Sequence, residues 1–277
     1  MKNSKLSIYL CIKVTTFYIL LFAGLSVSNP ALSITNDTIT VFVHGAHLTA
    51  QSWQEVELSL NKKGYQSIAV NLPGRNDTIN PKDITLDSSA KHLCDTINPL
   101  NKKIVFVTHS QGGAVVNHAQ SICPTVEVDR IIYLASVSPL RGEKPFDKLS
   151  KEDETNYYKG VAYDEASGLM IIKNKDAFIE SFSSNNNPLQ RESILNFSVS
   201  EPAYIADGIV ENDSEKFLAI KKFYIFTKRD QIITMASQIN IQKQLKTIKT
   251  SSIDSGHIPM ITHPDDLVSI LLDFMVI

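Results

Sequence analysis

From Thr38 onward, short apolar runs alternate with longer segments whose apolar positions recur every three or four residues. That rhythm predicts a mostly parallel central sheet with helices on both faces, because strands covered on both sides read as continuous apolar runs while crossover helices show one apolar stripe. TITVFVHG predicts a strand ending at Gly45, and QSWQEVELSLNKKG a helix ending at Gly64 with Trp53, Val56 and Leu60 facing inward. YQSIAVNLPG reads as a second strand that turns at Pro73 and Gly74. After the polar loop GRNDTINPKDIT a helix begins near Leu86, with Ala90, Leu93, Cys94 and Ile97 on one stripe. KKIVFVTHS is a third strand and GGAVVNHAQSIC the helix after it; DRIIYLASVSP and KKFYIFTKRD are a fourth and a fifth strand. A polar turn at residues 254–256 precedes PDDLVSILLDFMV, a helix entered through Pro264.

Between about residues 140 and 217 the rhythm breaks. The stretch is rich in Asn, Ser, Asp and Glu and holds only short helical patches such as KDAFIESFSS. An insertion between late strands of an open sheet lies over the strand ends where sites form. It therefore reads as a small cap, a lid that supplies substrate contacts, in preference to an irregular surface excursion.

The amino-terminal pattern is different again. Lys2, Lys5 and Lys13 lead into a nearly uncharged run from Val14 to Val27, and Ala31 and Ser33 put small residues where a signal peptidase reads them. This predicts a signal peptide over residues 1–33, cleavage before Ile34 and export to a periplasmic or extracellular space, with a cut nearer Ser28 or Ala31 as an alternative. A retained anchor fits less well, because the apolar run is shorter than the roughly 20 residues a spanning helix needs. Bulky Leu10 argues against a lipid on Cys11. A chain of 277 residues that is 43% hydrophobic buries one core, so residues 34–277 are expected to form one domain with its cap.

Removing residues 1–33 takes three lysines and no acid from the 27 basic and 29 acidic side chains, which leaves a net charge of −5. No basic patch for nucleic acid survives that balance. Cys94 and Cys123 remain on helices expected to be near neighbours. Two separately buried thiols are the expectation, and a disulfide, which an oxidising compartment would allow, is the alternative.

The segment Thr108-His109-Ser110-Gln111-Gly112-Gly113 lies where the third strand ends and a helix begins, the context of a nucleophile elbow. A serine there projects above the sheet edge. Gly112 removes a side chain that would crowd the turn, and the helix N-terminus points N–H groups at developing negative charge. Thr108 stands where such motifs usually have glycine, which bears on packing beneath the elbow and not on the serine's chemistry. A serine hydroxyl needs a base, and the expected chain order is Ser, acid, His. Of seven histidines only His257 and His263 lie late enough. His257, after the Ser255-Gly256 turn, is the candidate base, and His263, in the approach to the last helix, the weaker one. Asp230, directly after FYIFTKR, is the candidate acid, with Asp207 and Asp254 as competitors. Two backbone donors should hold an oxyanion: the N–H of Gln111 and the N–H of Ala46, after Gly45. His44 is expected to brace that loop through hydrogen bonds. His44 and His47 straddle a turn with no nearby carboxylate to complete a set, so no metal is expected.

VFVHGAH followed by Trp53, LPGRNDTINPKDITLDS, VTHSQGG, YLASVSP, YIFTKRDQII and DSGHIPMITHPDDL together resemble the family of plant methylesterases and hydroxynitrile lyases and its bacterial esterase relatives. The resemblance runs from about Thr40 to the C-terminus and is poor from about Gly142 to Asn196. It implies an α/β-hydrolase core with a small cap, no cofactor, and hydrolysis of esters of small carboxylic acids. Carried over by residue, it implies Ser110 as nucleophile, His257 as base, Asp230 as acid, and Ala46 and Gln111 as oxyanion donors. The lyase members carry a lysine directly after the catalytic histidine; Ile258 stands here, which argues against cyanohydrin cleavage. By the same analogy Met260 and either Phe42 or His47 would line the pocket. A lipase, thioesterase, lactonase or amidase would use the same residues, and a non-catalytic ligand-binding protein on the same scaffold is the alternative of a different class.

Overall fold

A computed structural model describes residues 37–75, 78–184, 187–212 and 215–277. The expected signal peptide lies outside the described residues. In chain order the first half consists of β1 (Thr38–Val43), α1 (Gln54–Lys62), β2 (Ser67–Val70), α2 (Leu86–Ile97), β3 (Lys103–His109), α3 (Gly112–Ile122) and β4 (Val128–Leu134). The insertion follows as α4 (Lys151–Gly160), β5 (Val161–Asp164), β6 (Leu169–Ile172), α5 (Lys175–Ser183), α6 (Pro188–Asn196) and β7 (Glu201–Pro202). The chain then returns to the core through α7 (Glu215–Ala219), β8 (Lys221–Thr227), α8 (Met235–Leu245), β9 (Lys249–Ile253), the single turn α9 (Pro259–Thr262) and α10 (Pro264–Met275).

Six strands form one sheet in the order β2-β1-β3-β4-β8-β9, and every neighbouring pair is parallel. This is the α/β-hydrolase fold, with inserted helices and strands between β4 and β8. Its central strands are buried along nearly their whole length, as the apolar runs VFV, IVFV and IIYL require. On the face of α1, Trp53 stacks on Phe42 with ring centroids 4.7 Å apart, and both are fully buried. Two elements escape the apolar pattern. Strand β9, KTSSI, is a sheet edge in which only Ile253 is fully covered, so its polar residues face outward. Helix α8 buries Ser237 and Gln238 beside Ile241 and Leu245, so half of its inward stripe is polar. Gln238 earns burial by bonding: its amide accepts from Thr227 N at 3.0 Å and donates to Ile233 O at 2.8 Å.

The insertion is more ordered than its composition suggests. β5, β6 and β7 form an antiparallel sheet of their own. Helix α4 opens with a capping box in which Ser150 and Asp153 satisfy each other's backbone N–H groups. Asp153 also accepts from Thr234 N at 2.8 Å and from the Ser237 hydroxyl, which pins the cap to the loop after β8.

Cys94 of α2 and Cys123 at the end of α3 form a disulfide, with Cα atoms 5.7 Å apart. Paired thiols, and not two separate ones, therefore join the helix behind the elbow to its neighbour. Closing a loop with a sequence separation of 29 constrains the unfolded chain by about 3.6 kcal/mol on the loop-entropy account. Full reduction, or Cys94→Ala with Cys123→Ala, is expected to lower Tm by about 10 °C in a chain of this size. Thermal melts with and without reductant measure this, and an unchanged Tm after complete reduction would count against it.

Candidate active site

Ser110 ends β3 in a left-handed turn, φ 50°, which a non-glycine residue adopts only when its surroundings enforce it. The enforcement is visible. The Ser110 carbonyl accepts from Gly113 N at 3.1 Å, Val137 N at 2.9 Å and the Ser136 hydroxyl at 3.0 Å. A Cβ on Gly45 would lie 2.5 Å from the Ser110 Cβ, and one on Gly112 would lie 2.6 Å from the His44 carbonyl oxygen, so both glycines are required by close approach. Thr108, beneath the elbow, is fully buried. Helix α3 has no side-chain cap at its N-terminus; Gly113 N is taken up by Ser110 O and Ala114 N by Gln111 O.

The Ser110 hydroxyl lies 2.9 Å from His257 Nε2, and His257 Nδ1 lies 2.7 Å from Asp230 Oδ2. An ionised carboxylate only accepts, so Nδ1 carries the proton and Nε2 is left to accept from the serine. Asp230 is itself fixed: Oδ1 accepts from Ile232 N and Ile233 N at 2.8 and 2.9 Å, and Oδ2 from the Thr227 hydroxyl at 2.7 Å. The imidazole is fully buried, and its backbone N–H donates to Phe182 O at 2.8 Å, so cap helix α5 helps to place it. His109 donates from Nε2 to the His257 carbonyl at 2.8 Å, and the two rings lie 4.5 Å apart. The competing residues are elsewhere. Asp254 pairs with Arg229 on the surface, Asp207 is exposed, and His263 bonds the Thr262 hydroxyl at the start of α10.

Ala46 and Gln111 both line the cleft beside Ser110, and among the described residues neither backbone N–H has a protein acceptor. His44 ties the Ala46 loop down, donating from Nδ1 to Gly45 O at 2.9 Å and accepting from Leu72 N at 3.1 Å. The cleft is narrow, with a cavity volume of about 50 Å³. Its wall is apolar: Val137, Ile232 and Ile233 come from the core, and Phe146, Leu149, Tyr157 and Met170 from the insertion.

The analogy that put Phe42, His47 and Met260 on this wall is corrected. Phe42 points to the sheet face covered by Trp53, and Met260 is fully buried in the core. His47, left-handed at φ 63°, turns its ring into the cap, donating to Val199 O at 3.0 Å and accepting from the Tyr157 hydroxyl at 2.7 Å. Sequence reasoning also missed Glu201 and Arg75, a buried ion pair at the back of the cleft whose members lie 126 residues apart. Only an acid in an otherwise apolar strand pair, LMII against EP, hinted at it.

Burial, aided by the Arg75 charge, lowers the His44 pKa to about 3; burial likewise lowers that of His47 to about 3, against the Val199 hydrogen bond that raises it. Both stay neutral in the fold. The unfolded chain takes up their protons first, so the stability present above 6.5 is lost as pH falls toward about 3. The expected loss is about 1.4 kcal/mol per pH unit for each imidazole within that window. Urea unfolding at about pH 7 and about pH 5 tests it, and equal stabilities would contradict it.

A model of the alpha/beta hydrolase family matches residues 40–270. Methylesterase 7 of Arabidopsis thaliana is 24% identical over 246 residues, covering 84% of this chain and 94% of that protein. Methylesterase 3 of the same plant is 24% identical over 254 residues, with the same shares covered. Among solved structures, an extracellular alpha/beta-hydrolase from a Paenibacillus species superposes with a TM-score of 0.73 at 21% identity, covering 85% of this chain and 98% of that one. A pyrethroid hydrolase from Sphingobium faniae JZ-2 gives 0.73 at 19% identity over 86% and 96%. These relatives support a hydrolytic role in general. The match over most of its length places this chain in the alpha/beta hydrolase family, with plant methylesterases among its relatives.

Proposed function

We propose that the chain is a serine carboxylic ester hydrolase that acts on small soluble esters through an acyl-enzyme intermediate. The observation that carries this is the unbroken hydrogen-bonded series Ser110, His257, Asp230, opening into an apolar cleft that Ala46 and Gln111 also line, whose backbone N–H groups have no acceptor among the described residues. Ser110 Oγ attacks the ester carbonyl while His257 Nε2 takes its proton, and Asp230 steadies the imidazolium that results. The N–H groups of Ala46 and Gln111 hold the oxyanion. His257 then returns the proton to the departing alcohol as the carbon–oxygen bond breaks. Water, deprotonated by the same nitrogen, attacks the acyl-enzyme and releases the acid and the serine.

Cleft size and cap attachment favour small soluble esters over an interfacial lipid. The cap is bound to the core through Asp153, through Phe182 and through Glu201, which leaves little freedom for a lid that swings open at a lipid surface. The curated relatives are named methylesterases, which agrees with a small alcohol group. No lysine follows His257, and the fully buried Ile258 offers no charge for managing cyanide. Purified protein is expected to turn over p-nitrophenyl acetate and butyrate with saturation and to leave emulsified long-chain triglyceride intact. Turnover of the emulsion alone would favour a lipase. A binding protein without activity would hydrolyse neither and would resist a fluorophosphonate.

Export is part of the same proposal. The Cys94–Cys123 disulfide suits an oxidising compartment, and no described helix is long and apolar enough to cross a membrane. N-terminal sequencing of the cell-envelope or secreted protein is expected to begin at Ile34; a cytosolic chain that keeps Met1 would contradict it.

A further inference from the structure

The carboxylate of Glu201 uses its two oxygens on two different loops. Oε2 accepts from the backbone N–H of His47 at 2.9 Å, directly after Ala46. Oε1 accepts from the side-chain amide of Gln111 at 2.8 Å. Those are the two stretches of chain that carry the oxyanion donors. Resting on the esterase proposal, we infer that Glu201, delivered by the cap, is a positioning residue that sets the spacing of the two oxyanion-hole donors.

Three further observations support this role. First, the loop after Ala46 needs holding. His47 is left-handed without being glycine, a conformation that persists only where neighbours over-determine it. The cap supplies those neighbours: Glu201 on the His47 N–H, Val199 N on the His47 carbonyl at 2.9 Å, and Val199 O on its ring. Leu48 pairs with Ser198 as an antiparallel bridge, so residues 198–201 run along the oxyanion loop as a splint. Second, Glu201 is almost fully buried, at 2% exposure. Burial pushes its carboxyl up, and the Arg75 guanidinium, the His47 N–H and the Gln111 amide all pull it back toward ionisation.

Third, Arg75 removes the electrostatic objection. A bare carboxylate beside a developing oxyanion would oppose it. Arg75 binds Glu201 Oε2 and, through its other nitrogens, Leu48 O at 3.2 Å and Pro73 O at 2.8 Å, so it cancels the charge while gripping the same loop. Glu201 lines the cleft with Ser110, Ala46 and Gln111, which places this network at the wall of the reaction chamber.

The test compares wild type with Glu201→Gln and Gln111→Leu. In Glu201→Gln an amide replaces two acceptors with one, so one loop loses its anchor, and Arg75 is left unpaired. The field of that free cation would favour an oxyanion, so a fall in kcat reports lost alignment and not lost charge. On p-nitrophenyl acetate, kcat is expected to fall about 10- to 100-fold, less than outright removal of an oxyanion donor, with KM within about 3-fold of wild type. Phosphonylation of Ser110 by a fluorophosphonate is expected to slow in parallel.

Gln111→Leu keeps the backbone N–H and cuts only the link to Oε1. A kcat lower by about 3- to 10-fold at constant KM is expected, and this variant decides the matter if Glu201→Gln does not fold. A folded variant with wild-type kcat, or one whose loss lies in KM alone, would overturn the inference. Wild-type protein that neither hydrolyses the ester nor labels at Ser110 would overturn the esterase proposal together with it; labelled wild type with unaffected variants would overturn the positioning role alone.

Discussion

Ser110→Ala is expected to keep its thermal transition and to lose about six orders of magnitude in kcat on p-nitrophenyl acetate, the scale of removing a nucleophile from a triad. Ser110 is buried, and its hydroxyl adds a single hydrogen bond, to His257 Nε2. The backbone bonds that enforce its left-handed turn come from the Ser110 carbonyl and survive in alanine. What disappears is the only atom at the elbow that can form the acyl bond. Residual activity would come from water held by His257 beside the two oxyanion donors. A rate within about tenfold of wild type would mean that the ester is cleaved elsewhere in the molecule.

Asp230→Asn is expected to lower kcat by about four orders of magnitude with little change in fold. The reason can be read atom by atom. Oδ1 of Asp230 accepts from two backbone N–H groups, those of Ile232 and Ile233, and an asparagine must keep its carbonyl oxygen there. Its NH2 is then forced into the place of Oδ2, facing His257 Nδ1. A donor at that position strips Nδ1 of its proton and moves the proton to Nε2, so the ring can no longer accept from Ser110. The Thr227 hydroxyl, which donates to Oδ2 in the native chain, can turn to accept from the amide and makes the new arrangement comfortable. Steady-state kinetics across pH measures the effect, and a loss smaller than about tenfold would show that Asp230 does not set the tautomer.

Much of this candidate site was legible in the sequence because its residues sit at punctuation points. Ser110 and Asp230 follow the ends of apolar strands, Gly45 and Gly112 occupy turns where a Cβ would collide, and His257 follows a Ser-Gly turn. Parallel strands buried on both faces have no choice but to read as apolar runs, which is why β1, β3, β4 and β8 stand out. The elements that stayed hidden are those whose stability does not come from an apolar stripe. Edge strand β9 has water on its outer side, and α8 buries Gln238 by bonding it to Thr227 and Ile233.

The cap was legible as an insertion, but its inner elements were hidden for the same reason: its composition is polar because a capping box and ion pairs hold it in place, so Asn, Ser, Asp and Glu mark order and not its absence. The pocket wall could not be assigned by analogy because it depends on where that cap lies. Tyr157 and Met170 reach the cleft from the insertion, and the position of Phe42 is fixed by the facing direction of one strand residue against Trp53. Glu201 and Arg75 illustrate the limit most clearly, since no local spacing connects residues that meet only after the cap has folded over the Ala46 loop.

The central claim is that the Ser110 hydroxyl, activated by His257, is the nucleophile. Peptide mapping by mass spectrometry after brief exposure to a fluorophosphonate tests it most directly. One phosphonyl group is predicted on the peptide that contains Ser110, absent in Ser110→Ala and strongly slowed in His257→Ala. An adduct on another residue, or a Ser110 that stays unmodified in active protein, would contradict it.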